Sequence, residues 1–429
     1  MFRYLHQLWK SEDLRKRILL TLGLLVLYRI VAHIPVPGAD ETALRNFLGS
    51  RGTGGALGVF AALTGGAIDN FSIVLLGLSP YINASIILQL CTVIFPKLEA
   101  LAKEGQQGQQ RINRYTRYIT FPLAFLQSYG FLLLLNSGAA QLGGRLIDTS
   151  FPGVLGPMTI VAAGALFLMW LGEVMTEKGI GNGISLIIFT GIVSSIPSTL
   201  SNMFVAGAGK QGPFIFFSIL SVGLLICVVL FTEAHRLIPI TYANQGAGRG
   251  VQGGIPIRIN QAGMIPIIFA ISLITFPGII AQFLQTAPRF TGVVNFINTE
   301  LNANNPSTLY ITAYFLLVLV FTYFYVSVTF RPEQIAEDIQ KRGGFIPGIR
   351  PGKSTAEVLA KTSNRLNLWG GVFLGIIAIV PLIFTKYSSL SSQDLLISGS
   401  GMIIVVGVVL ELIRQINAQL LAHDYEKLA

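Results

Sequence analysis

Apolar residues along this chain fall into blocks, and ten of them approach the ~20 helical residues that cross about 30 Å of hydrocarbon. The blocks run over Ile18–Ile34, Phe71–Phe95, Tyr118–Leu135, Val154–Met175 and Gly183–Phe204, then Pro213–Phe231, Ala262–Leu284, Leu309–Phe330, Leu368–Thr385 and Leu395–Ile413. The pattern predicts an all-α polytopic membrane protein of ten spans. The first block is short and carries Arg29, and the fifth is expected to break at Ser194-Ser195-Ile196-Pro197. The first block also follows a charged start and ends in Ile34-Pro35-Val36-Pro37-Gly38 rather than in small residues. It therefore reads as a retained helix, not a cleaved leader.

Charge outside the blocks sets the orientation. Of 30 Lys+Arg, 23 lie in the N-terminal stretch, alternate loops and the C-terminal end, against six in the intervening loops. Basic residues stay on the cytoplasmic side, so both termini are expected there. Five spans on either side of Gly207–Gly212 divide the chain into units 1–206 and 207–429. An odd count inverts the second unit relative to the first, and inverted repeats place a path at their interface.

Charged residues make up 12% of the 429 residues, too few for an ordinary soluble enzyme. His6, His33, His235 and His423 are scattered, and Cys91 and Cys227 both lie in apolar runs, so no metal, cofactor or catalytic constellation is expected. Gly348–Ser354 comes nearest to a phosphate-binding loop but is one residue short and follows no predicted strand.

Three features interrupt the blocks. The stretch Ala56-Leu57-Gly58-Val59-Phe60-Ala61-Ala62-Leu63-Thr64-Gly65-Gly66-Ala67 is apolar but too short to cross a bilayer. It reads either as an interfacial turn without a role or as a mobile stopper entering a cavity. Neutral polar residues sit near span centres: Asn83, Ser85 and Gln89, then Gln127, then Ser272 and Thr275. These are either hydrogen-bonded packing or a seam of intermediate polarity between helices that separate. Finally, the loops Glu233–Gln261 and Arg331–Asn367 are long and basic, and Pro332–Lys341 is an amphipathic helix with Ile335 and Ile339 on one side. Both loops read either as solvated tethers or as a docking platform for an acidic or nucleic-acid-rich partner. An ion-coupled transporter and an insertase-like protein without a continuous pore stay open on these grounds.

Four phrases narrow the choice: Ile34–Gly38 (IPVPG), Gly77–Gln89 (GLSPYINASIILQ), Gly172–Ser185 (GEVMTEKGIGNGIS) and Phe345–Gly352 (FIPGIRPG). In this order they closely resemble the SecY family, the pore subunits of the bacterial Sec protein-conducting channel, and the resemblance runs from about Leu14 to Tyr425. It implies two inverted five-helix halves around an hourglass pore in the cytoplasmic membrane, with no catalytic activity of the chain's own. A ring of Leu78, Ile82, Ile188, Ile268 and Ile404 would narrow the pore, Ala56–Ala67 would be the plug, and spans two and seven would form a lateral gate. Asn83, Gln89, Gln127 and Ser272 are then the gate candidates. The resemblance further implies signal peptides, nascent chains and membrane lipid as contacts, with partners like SecE and SecG, the SecA motor and the translating ribosome. Docking would fall to Arg249, Arg342, Arg350 and Lys353, with Arg350 at the family's functional arginine position. Arg249 stands alone at the tip of its loop, where the family usually carries a denser basic cluster.

Overall fold

The computed structural model describes residues 11–37, 71–140, 152–205, 211–242, 253–284, 288–301, 306–387 and 399–426. The predicted plug and Arg249 lie outside these residues.

A helix covers all or most of every apolar block. The helices are α1 Glu12–Val31, α2 Ser79–Ile94, α3 Pro96–Lys103, α4 Gln106–Ala140, α5 Leu155–Lys178, α6 Gly183–Val205 and α7 Gln211–Glu233. After two strands come α8 Ile265–Leu284, α9 Thr291–Glu300, α10 Thr308–Thr329, α11 Pro332–Lys341, α12 Lys353–Tyr387 and α13 Gly399–Glu426. Among the described residues, four helical segments are long and apolar enough to cross a membrane: Leu155–Lys178, Thr308–Lys341, Lys353–Phe384 and Gly401–Leu420. The α2–α3 pair makes a fifth, bent by 103°, and Gly183–Pro197, Ile219–Glu233 and Ile265–Gly278 are shorter apolar helices.

The bend between α2 and α3 has a local cause. Pro96 has no N–H to continue the ladder and forces Phe95 into an extended conformation, so the helix restarts in a new direction. Pro197 behaves differently. The expected break in the fifth block does not occur, and α6 runs through Pro197 to Val205. Upstream, Ser194 and Ser195 donate their hydroxyls to the carbonyls of Gly191 and Ile192 within the preceding turn. Membrane helices tolerate proline because neighbouring groups and small local adjustments satisfy the one carbonyl it leaves without a donor, here that of Val193.

Three apolar clusters organise the bundle. One joins α4 and α5 with the turn at Phe71–Leu76, and a second joins α7, α8, α10, α12 and α13 with Ile86 of α2. The third draws on α1, α2, α5, α6, α8 and α13, so it spans both halves of the chain. Side chains facing outward are themselves apolar, including Leu22, Val26 and Ile30 on α1 and Ile219, Val222, Ile226 and Leu230 on α7. Stripes of that length face a solvent of similar polarity, which here is lipid.

The loop side carries a small module that the all-α expectation did not include. Strands β1 His235–Tyr242 and β2 Gly253–Arg258 form an antiparallel hairpin, and β3 Gly344–Phe345 pairs with the far end of β1. Ile238 and Ile240 of β1, Ile257 of β2 and Ala336 and Ile339 of α11 close a separate apolar cluster with Ala356 and Leu359 of α12. The predicted amphipathic helix at Pro332–Lys341 is present, with Ile339 buried and Ile335 packed at the cluster edge. Arg331–Asn367 is thus largely folded rather than a free tether.

Candidate functional site

The side chains of the third cluster are delivered by tight local devices. Gly77 adopts φ +56, which turns the chain so that Leu78 precedes α2 and points into the cluster. The preceding turn is seated by Gly164 of α5, where an added Cβ would lie 2.0 Å from the Ile73 carbonyl oxygen. Where α5 meets α6, a Cβ on Gly183 would lie 2.1 Å from the Gly172 carbonyl oxygen. Asn182 then caps α6, its Oδ1 accepting from the N–H groups of Ile184 at 3.1 Å and Ser185 at 3.3 Å. Thr21 of α1 ties into the same corner, its Oγ1 accepting from Ile180 N–H at 3.1 Å. The phrase Gly172–Ser185 is therefore a packing corner that aims α6.

The predicted ring residues come together. Leu78, Ile188, Ile268 and Ile404 are buried members of this one cluster, and half-buried Ile82 packs against it. Leu78, Ile82, Ile188 and Ile268 also line a narrow cavity with Tyr28 and Ser272, whereas Ile404 packs in the cluster without lining it. The cavity offers about 30 Å³ to the centres of water-sized molecules. That space admits a water or two and no polypeptide. Its lining contains no Asp, Glu, Lys, Arg or His.

The gate candidates lie on α2, α4 and α8, three helices in mutual contact. α2 packs on α8, and α4 packs on both. Ser272 lines the cavity, and Asn83 is half-buried one residue beyond Ile82. Gln89 donates to Ser85 Oγ of its own helix at 3.3 Å rather than across the contact. Gln127 is 4% exposed, and neither amide atom has a hydrogen-bond partner. Sequence reasoning missed Tyr28, which is 1% exposed and lines the cavity from α1. A tyrosine in a short first span carries no spacing signal of such a place.

On the loop side, Arg342, Arg350 and Lys353 are exposed on the small module. Arg350 lies in a turn whose carbonyl accepts from Thr355 Oγ1 at 3.0 Å. The base of the hairpin is held by charge, since Arg414 of α13 donates to Glu233 at 2.5 Å. Burial lowers the Arg258 pKa beside this pair; Arg414 adds to the effect and Glu233 and Glu411 oppose it.

Apolar helices from early and late in the chain, meeting at a shared aliphatic cluster beside a small uncharged cavity, define a multi-pass helical membrane protein. Solved structures share the fold. One described as the structure of a protein conducting channel superposes with a TM-score of 0.67 at 18% identity, covering 95% of this chain and 93% of that one. Sec61 in the canine ribosome-channel complex from the endoplasmic reticulum gives 0.63 at 18% identity with the same coverage. The SecY family model matches residues 72–413. The protein translocase subunits SecY of Streptomyces scabiei and Mycobacterium tuberculosis are 41% and 39% identical, each over 97% of both chains. The chain belongs to the SecY family.

Proposed function

We propose that this protein is the pore subunit of a Sec translocon, passing unfolded polypeptides across the membrane and releasing hydrophobic segments sideways into lipid. The observation that carries the reading is the meeting of Leu78, Ile82, Ile188, Ile268 and Ile404, from four helices of both halves, in one cluster beside a narrow cavity. An aliphatic constriction resists wetting and so blocks ions, while its side chains conform around a threaded chain. A solute transporter would want ionisable or carbonyl ligands converging at the site, and the cavity lining offers only apolar and neutral hydroxyl side chains.

The lateral path runs between α2 and α8. A segment exposed there chooses between pore water and lipid: Leu, Ile, Phe and Val favour lipid by about 0.3–0.6 kcal/mol each, and a charge opposes it by about 2.5–3.5. Ile82 and Ile86 of α2 pack with Ile267, Ile271 and Ile274 of α8, and Ser272 and Thr275 line the cavity beside them, so separating the two helices breaks no ion pair among the described residues. Ten spans in two inverted halves, 1–206 and 207–429, put both termini and the basic module in the cytoplasm of a bacterial inner membrane. There Arg249, Arg342, Arg350 and Lys353 face a SecA motor or a ribosome, and SecE-like and SecG-like subunits brace the bundle. Ala56–Ala67 serves as the plug. The chain itself catalyses no reaction.

Site-specific crosslinking of a stalled secretory chain tests the reading. Probes at Ile82 and Ile188 are expected to capture the chain in transit, and probes at Gln89 and Ser272 its signal segment. Capture at neither set overturns both pore and gate.

A further inference from the structure

Outside the membrane-spanning bundle, one polar contact joins the two halves at the loop end of the gate. Arg331 Nη2 donates to the Ala102 carbonyl oxygen at 2.8 Å, across 229 residues of sequence. Ala102 lies in the last turn of α3, where carbonyls lack an intrahelical partner and carry the negative end of the helix dipole. A guanidinium there makes a charge-assisted bond with an acceptor that has nothing else of the helix to bind. Near this end Lys103 pairs with Glu99 and Arg111 with Glu104, and Arg331 meets the carbonyl.

The places of the two residues give the contact its consequence. α3 is the bent continuation of α2, and Arg331 is the junction residue between α10 and α11. The bond therefore links the end of α3, and so of the gate helix α2, to the junction between α10, which packs on α8, and the basic module. We propose that Arg331 is a positioning residue for gating: it latches α3, and through it α2, to the α10–α11 junction and biases the seam toward closure. A partner that shifts α11 withdraws the guanidinium from α3 and releases α2 in the same movement. Docking on the module and opening of the gate are thus coupled through one side chain.

This inference rests on the channel reading above, and its test separates the two. The complete channel complex in proteoliposomes is given a preprotein with an intact signal segment and one with a weakened segment. Arg331→Ala is expected to raise the transport ratio of weakened to intact substrate about tenfold, the loss of one charge-assisted hydrogen bond from the closed state. Arg331→Lys keeps the cation and returns the ratio close to that of the natural sequence. An unchanged ratio, or a parallel fall for both substrates, overturns the latch. Failure of the natural sequence to transport the intact substrate overturns the channel reading instead. In a Cys91→Ser, Cys227→Ser background, Ala102→Cys and Arg331→Cys joined by a bis-methanethiosulfonate linker are expected to block transport until a reductant is added. Full transport with the linker in place overturns the latch even if Arg331→Ala does not fold.

Discussion

At the scale of single residues, the ring shows how chemistry and position divide the work. Ile188, Ile268 and Ile404 have the side chain of any membrane-facing isoleucine, and only the packing of their three helices brings them together, α6 being set by Gly183 and Asn182. That is why their meeting in one cluster was expected from the family resemblance and not from spacing, and why Tyr28, which no quoted phrase contains, was not expected at all. Exchanging Ile188 and Ile268 together for Asn wets the constriction, so ion conductance through the resting channel is expected to rise in planar bilayers. Conductance equal to that of the natural protein would remove the ring from its role. Gly164→Ala tests the supporting layer. Its Cβ would sit 2.0 Å from the Ile73 carbonyl oxygen, so the turn that carries Leu78 must shift. A loss of about 1–3 kcal/mol in thermal stability is expected, as for other overpacked sites.

Whole elements were legible where the apolar period was long and obscure where proline interrupted it. The helices over the ten blocks follow from block length alone. The hairpin does not: Pro239 and Pro256 sit inside β1 and β2 and demote both runs to loop, although Ile238, Ile240 and Ile257 point one way. Pairing Leu237 opposite Pro256 lets the strand accommodate a residue without an N–H, and β2 lies at the sheet edge where proline is tolerated. Pro197 misled in the opposite direction, because the sequence does not reveal that the helix can run on through it. Gln127 supplies the test at this scale. An amide buried on α4 with no partner costs about 1–3 kcal/mol relative to a matched group. Gln127→Leu removes that cost from the closed seam, so the protein is expected to melt higher and to transport a weakened-signal substrate more slowly. Lower stability would show that the amide is matched and that the seam is polar for another reason.

Across the whole molecule, one cluster joins helices from early and late in the chain and one module lies outside the bundle, which on the proposed reading divides sealing from docking. The sequence showed the two long loops as basic but not as a joint fold, because the residues that close the module, from Ile238 to Leu359, are far apart along the chain. As one body, the module presents Arg342, Arg350 and Lys353 on a fixed frame. If these meet ribosomal RNA phosphates, exchanging all three for Ala is expected to flatten the dependence of log affinity on log salt by about 0.7–0.9 per lost contact. An unaltered slope in ribosome binding would assign the docking elsewhere. The shared cluster has a subtler consequence for sorting. An aliphatic constriction makes the pore partly lipid-like, so a marginally hydrophobic segment gains less by leaving it than it would by leaving water. Ile82→Asn with Ile188→Asn makes the pore more aqueous without touching the lipid. The balance then tips outward, and segments that the natural channel passes are expected to lodge in the membrane. With each Leu or Ile worth about 0.3–0.6 kcal/mol, the threshold shifts by roughly one such residue in a graded series of test segments. A threshold that stays fixed while conductance rises would mean that segments choose at the α2–α8 seam before they reach the ring, and the sorting would belong to Asn83, Gln89 and Ser272 alone.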